Sequence, residues 1–338
     1  MRFVDVQCHI FPSIFTNEVS SGKAGLKALP ADANGRRVIV DSSGDEVTFF
    51  IEDSPYVDFK KHIRDMDAYN IDVQLLSVPS PSVDKIRDSK QSYNLSRAIN
   101  DELSRIVSEE PSRFQALATI SMGDPELAVE EIERAVKKLG FKGLIISSNT
   151  NGAFYDQPKY ERVFETIVKH DVPVFMHPSK PVTSKTIGYD YKLVLIFGWP
   201  FDTTISISRL AFSGMLGRFP QLKLIAAHGG GMIPFFKGRI KMLARVAAGG
   251  GKAIVQEFNE DVLKNLYYDA AVFDPDSLEL LVKFAGAGHV LYASDYPFGQ
   301  NLGKNCYVDS ISMMEKLNLN ETEKNMVASG NARRIFKI

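Results

Sequence analysis

Three of the six histidines in this 338-residue chain end short apolar runs: His9 in RFVDVQCH, His177 in VPVFMH and His228 in LKLIAAH. Asp295 ends a fourth run, HVLYASD. Imidazole and carboxylate groups hold divalent metals and move protons. Four such groups, each closing an extended apolar run, point to one shared metal site. The remaining histidines are expected to be structural. His62 and His170 fall in helical patterns, and His289 begins a run instead of ending it.

Positions i and i+2 of a strand share a face. Gln7 and His9 are therefore expected to face one interior, with Cys8 turned outward as a packed thiol and not a nucleophile. Gln7 offers a neutral carbonyl oxygen, a poor donor for zinc. Beyond His228, Gly229–Gly231 would let backbone approach a ligand closely. Arg239 could pair with a substrate carboxylate in bidentate fashion. Tyr296 and Phe298, just after Asp295, are candidates to wall an unsaturated or aromatic substrate.

Residues so far apart in sequence need a scaffold that gathers strand ends. Eight short apolar runs supply one: Arg2–His9, Ile71–Val78, Gln115–Ile120, Gly143–Ser147, Val172–His177, Leu222–His228, Leu266–Ala270 and His289–Asp295. Helical patterns lie between them. Asp124 and Pro125 read as an N-cap and first-turn proline before Leu127–Leu139, and Pro158–His170, Thr203–Leu216 and Pro275–Phe284 continue the alternation. Eight strands alternating with helices predict a single (β/α)8 TIM barrel over residues 1–338. A doubly wound open sheet is the competing topology, but no G-x-G-x-x-G follows the first strand. Two connections are too long for plain loops, about residues 10–55 and 178–203. Both follow strands, so both are expected to cover the catalytic face, the first with a hairpin around Arg37–Ile51.

Composition narrows the partners. Lys plus Arg is 40 against 41 for Asp plus Glu, which gives no electrostatic reason to expect nucleic acid or an anionic membrane. Two cysteines make no disulfide framework, and with no signal-peptide pattern a cytoplasmic location is expected.

The chain resembles the aminocarboxymuconate-semialdehyde decarboxylase family, with γ-resorcylate and 5-carboxyvanillate decarboxylases, within the amidohydrolase superfamily. The matching pieces include DVQCHIFP at Asp5–Pro12, FMHP at Phe175–Pro178, GWPFDTT at Gly198–Thr204, HGGGMIPFFKGRI at His228–Ile240 and SDYPF at Ser294–Phe298. They run in family order over essentially the whole chain. The resemblance implies a metal held by Gln7, His9, His177 and Asp295, with His228 as the acid/base beside it. It places Trp199 at the substrate and implies a homodimer in which Arg239 reaches the neighbour's substrate carboxylate. The chain departs from the family at Gln7, where His or Glu is usual, and lacks a matching second substrate arginine around Phe49–Asp53.

Together these readings predict a metal-dependent, non-oxidative decarboxylase of a small aromatic or unsaturated carboxylic acid, with His228 and Asp295 as its catalytic groups. Hydrolysis of an ester, lactone or C–C bond on the same scaffold is the alternative. A non-catalytic ligand-binding relative is a third reading, supported only by Gln7. Zinc is the default metal, and manganese would suit an oxygen-donating Gln7 better.

Overall fold

A computed structural model describes residues 1–22, 25–79, 82–244, 246 and 258–338. Eight parallel strands follow one another around a barrel: β1 (Phe3–His9), β2 (Ile71–Ser77), β3 (Phe114–Thr119), β4 (Gly143–Ser147), β5 (Val174–His177), β6 (Leu224–Ala226), β7 (Tyr267–Asp269) and β8 (Val290–Leu291). Each pairs with its sequence neighbour. The seam between β8 and β1 is closed by backbone bonds. Val6 N donates to Tyr292 O at 3.1 Å, Asp295 N to Gln7 O at 2.9 Å and His9 N to Tyr296 O at 2.7 Å. The chain therefore forms the (β/α)8 barrel expected from its sequence.

Two cores divide the apolar residues. Val4, Val6, Leu75, Leu117, Ile145, Phe175, Ile225 and Leu291 fill the barrel. Ala332, Ile335 and Phe336 of the last helix join this inner core. The outer core packs helices on the sheet, and Cys8 belongs to it, its Sγ 3.2 Å from Leu75 O. Burial pushes the Cys8 thiol well above its usual range, so it is an inert, packed group.

Helix starts follow the chemistry read from sequence. Asp124 accepts hydrogen bonds from Glu126 N and Leu127 N and caps Pro125–Lys137. Asp274 caps Pro275–Ala285 in the same way. The helix expected over Thr203–Leu216 instead begins at Trp199, one residue before Pro200, and ends at Phe212. Gly214, at φ 79°, breaks the chain before a separate turn, Met215–Arg218. The eighth run pairs as a ladder only over Val290–Leu291.

Both long connections carry structure of their own. The first holds a helix, Ser13–Ser21, and a three-stranded antiparallel sheet of Leu26–Ala28, Arg36–Asp41 and Glu46–Ile51. The sequence pattern predicts the hairpin but not its third strand. The second holds short helical turns before Trp199. Among the described residues, no helix is long and apolar enough to cross a membrane.

Candidate metal centre and active site

Strand ends bring four side chains into one cluster. His9 closes β1, His177 closes β5, Asp295 follows β8 and Gln7 sits two residues before His9. The register of β1 shifts between Asp5 and Cys8, so inward packing passes from Val4 and Val6 to Gln7 and His9. One donor atom each from His9, His177 and Asp295 lies within 4.8 Å of the others.

Neighbouring groups fix the two imidazoles. Ser77 Oγ donates to Cys8 O at 3.1 Å, so it accepts from His9 Nδ1 at 3.0 Å. His177 Nδ1 donates to Pro178 O at 3.0 Å. Both rings thus carry their proton on Nδ1 and present the Nε2 lone pair, the state in which histidine binds metal. Burial above all pushes the His177 pKa well below its usual value and keeps the ring neutral.

That arrangement leaves two acceptors face to face: His9 Nε2 lies 3.0 Å from Asp295 Oδ1. A cation shared between them removes the repulsion. Gln7 Oε1 is buried and has no hydrogen-bond partner, while Gln7 Nε2 lies 3.1 Å from His228 Nε2 and 3.3 Å from Asp295 Oδ1. A buried carbonyl oxygen without a partner is costly, and with the amide turned over, so that Oε1 and not Nε2 faces Asp295, a cation here would satisfy it. On both counts the residues fit a divalent metal.

His228 stands beside this cluster, its Nε2 3.8 Å from Asp295 Oδ2 and its ring centroid 5.6 Å from that of His177. Burial would lower its pKa, but the nearby carboxylates of Asp295 and Asp269 outweigh it and raise the pKa above its usual value. Burial opposes ionisation of Asp295 too, yet the charge of His228 beside it holds its carboxyl below the usual range. The chain enters the left-handed region at both residues, with φ 52° at His228 and φ 63° at Asp295. Non-glycine residues adopt that conformation at a cost that is characteristic of functional sites.

Above the cluster opens a cavity of about 950 Å³, with His177, His228 and Asp295 among its lining residues. Trp199, Phe298, Phe49 and Phe273 supply aromatic walls, and Arg36 and Lys180 supply cationic groups. Phe298 packs edge-on to His9 at 5.6 Å and Trp199 lies 6.3 Å from His177. These two line the cavity.

Tyr296 does not. It is fully buried behind the cavity, its hydroxyl donates to Asp65 Oδ2 at 2.8 Å and its ring stacks on Tyr307. Beyond the turn at Asp295, Tyr296 joins the outer core while Phe298, two residues on, lines the site. Arg239 also lies off the cavity. It is exposed on helix Ile233–Leu243, and among the described residues it has no hydrogen-bond or ion-pair partner. That helix is the expected segment Met232–Ala248, of which positions 245, 247 and 248 lie outside the described residues.

The three histidines expected to be structural are so. His62 contacts Gln74 and Pro55 O, His170 contacts Glu133 and His289 contacts Leu266 O. Arg36 is among the cavity residues that escaped the sequence reading, with Lys180 and Phe273. Its guanidinium lies 4.4 Å over the Phe49 ring and 2.9 Å from Glu46. Arg37, its strand neighbour, turns away to Leu29 O, Ser20 and Glu52. Strand alternation alone would have separated the pair, had the facing side been known.

A family model described as amidohydrolase matches residues 4–338. The chain belongs to the amidohydrolase family. It is 30% identical over 339 aligned positions to a γ-resorcylate decarboxylase of Polaromonas sp. strain JS666, covering 93% of this chain and 99% of that protein. It is 30% identical to a 2-amino-3-carboxymuconate-6-semialdehyde decarboxylase of Dictyostelium discoideum, covering 97% and 90%. The solved structure of a dihydroxybenzoic acid decarboxylase from Polaromonas, with bound manganese and 2-nitroresorcinol, superposes with a TM-score of 0.78 at 26% identity, covering 99% of this chain and 97% of that one.

Proposed function

We propose that this amidohydrolase is a metal-dependent carboxy-lyase that removes CO2, without oxidation, from a small hydroxylated aromatic or unsaturated carboxylic acid. The observation that carries the reading is the cluster of His9, His177 and Asp295 donors, within 4.8 Å of one another, at the floor of an aromatic-walled cavity. Full-length relatives named as decarboxylases support the same reaction class.

Gln7, His9, His177 and Asp295 would hold one divalent metal. Bound there, the metal would act as a Lewis acid on substrate oxygen and stabilise negative charge that develops as CO2 leaves. Gln7 enters through its unpartnered oxygen, and a neutral oxygen donor favours Mn2+ over Zn2+. The manganese in the Polaromonas structure supports that choice.

The rest of the chemistry belongs to the protein. Trp199 and Phe298 would hold the ring of the acid against the cluster and keep water from it. His228, with its proton affinity raised by neighbouring carboxylates, would deliver a proton to the carbon that bears the carboxylate. That carbon becomes tetrahedral, the C–C bond breaks, and its electron pair returns to the ring system. Asp295 would orient His228 and balance its charge.

Arg239 lies outside its own cavity, so a role at the substrate requires a second copy, and a homodimer is part of the proposal. Elemental analysis of the native protein, with a screen of hydroxybenzoates and muconate-type acids for CO2 release, tests the reading. A stoichiometric divalent metal and CO2 release are expected. Consumption of water without CO2 release would replace lyase by hydrolase.

A further inference from the structure

The antiparallel sheet of the first insertion forms one wall of the cavity through Arg36, Glu46, Val47, Thr48 and Phe49. Its base is anchored by aromatic packing, Phe11 against Phe50 at 5.8 Å and Phe49 against Tyr56 at 5.5 Å. Its tip, the turn Asp41–Asp45, is otherwise exposed. Two carboxylates of this turn meet one amine: Lys180 Nζ lies 2.5 Å from Asp41 Oδ2 and 2.7 Å from Asp45 Oδ2. Among the described residues, no other ion pair joins this turn to the body of the protein.

Both ends of the contact are braced. Asp41 Oδ1 accepts from Ser43 N at 2.9 Å and Asp45 N at 3.3 Å, which fixes the turn. On the other side, Lys180 follows His177 by three residues, in the second insertion. Ser179 N donates to Ser148 Oγ at 2.9 Å, Ser179 Oγ donates to Asp84, and Asn149 Nδ2 donates to Lys180 O at 3.3 Å. The lysine side chain is only 13% exposed, as is that of Asp41. Charge-assisted bonds shielded in this way hold better than surface pairs.

We infer that Lys180 is a positioning residue that latches the sheet of the first insertion over the substrate cavity, from an anchor continuous with the metal ligand His177. The inference rests on reading the cavity as the substrate site. With the latch formed, Arg36 and Phe49 are held in the wall of the cavity that Trp199 also lines. With it broken, the turn at the tip and the strand ends it joins loosen while Leu26, Ile39, Val47 and Phe50 stay in the core, the cavity wall is less firmly set, and substrate is held less tightly.

Hydrogen–deuterium exchange and steady-state kinetics on wild type, Lys180→Met, the pair Asp41→Asn/Asp45→Asn, and Lys180→Arg test the latch. Lys180→Met and the double Asn variant should both speed exchange across residues 36–51 and raise KM about tenfold, the scale of one charge-assisted hydrogen bond, with kcat little changed. Lys180→Arg should restore both properties. The double Asn variant removes the negative charge that Lys180→Met leaves bare, so a shared effect reports closure and not repulsion of an anionic substrate. Unchanged exchange in residues 36–51, or faster exchange with KM unmoved, overturns the latch. If wild type releases CO2 from no acid, the decarboxylase reading fails, and exchange in the metal-loaded protein alone decides whether Lys180 closes the sheet.

Discussion

As a ligand of the proposed metal site, Gln7 would be a neutral donor where a carboxylate or imidazole would bind more strongly. Gln7→Glu adds a negative charge beside the cation, and metal affinity should rise at least about tenfold. Gln7→Ala should lower it, because the unpartnered Oε1 is then gone. Competition against a chromophoric chelator measures both, and equal affinity in all three proteins would remove Gln7 from the ligand set. His228 makes the opposite test. Its Nε2 is 3.8 Å from Asp295 Oδ2, close enough to exchange protons through small motions but not placed as a ligand with His9 and His177. His228→Asn should keep a full complement of metal and lose about 10²–10⁴-fold in kcat, the usual scale for a general acid. Loss of metal from that variant would turn His228 into a ligand and require the roles to be reassigned.

Scaling up to elements, the turn after β6 shows why the sequence writes three glycines. Gly229, Gly230 and Gly231 all have positive φ, at 63°, 73° and 63°. A Cβ on Gly231 would meet Pro200 O at 2.3 Å and one on Gly230 would meet the Tyr268 ring at 2.4 Å. The turn is thus pressed between the helix that starts at Trp199 and strand β7. Gly231→Ala combines a backbone clash with an unfavourable φ and should destabilise the fold by about 1–3 kcal/mol. Urea denaturation measures this, and an unchanged midpoint would contradict the packing. This glycine run, like the strand-ending histidines, was legible in sequence because each residue type answers a local demand. Residues that depend on how one element faces another were not. Arg36 needs the pairing of Arg36 with Ile51 and Val38 with Phe49 to set it over Phe49. The outward turn of Tyr296 needs the positive φ of Asp295, which no alternation pattern contains. Strand β8 is short because beyond Leu291 the chain bonds to β1 through an irregular seam, a tertiary constraint without a local signal.

For the whole molecule, the exposed apolar surface calls for a partner. Helix Ile233–Leu243 turns Phe235, Phe236, Met242 and Leu243 to solvent, Phe235 at 74% exposure. Leu195, Ile196 and Phe197, just before the cavity residue Trp199, are each more than half exposed. The two segments spring from one junction, where Met232 N donates to Thr204 Oγ1 at 2.8 Å. Apolar side chains concentrated in this way mark an interaction surface, and a second copy of the chain would cover them by twofold pairing. Arg239 sits on the same helix, its guanidinium without a partner among the described residues, so burial in such an interface requires an anionic partner for it. The carboxylate of an acid in the neighbouring cavity supplies one, in the planar geometry arginine prefers. Mixing Arg239→Ala with His177→Ala chains separates this from a role within one subunit. Each homodimer should be nearly inactive, the first for want of a carboxylate partner and the second for want of metal. In the heterodimer, one cavity combines intact His177 with intact Arg239 from across the interface, so about half of wild-type activity per dimer should return. The other cavity carries both defects. A purified heterodimer with no recovered activity would confine Arg239 to its own subunit, and a monomer by sedimentation would leave the exposed helix to a different partner.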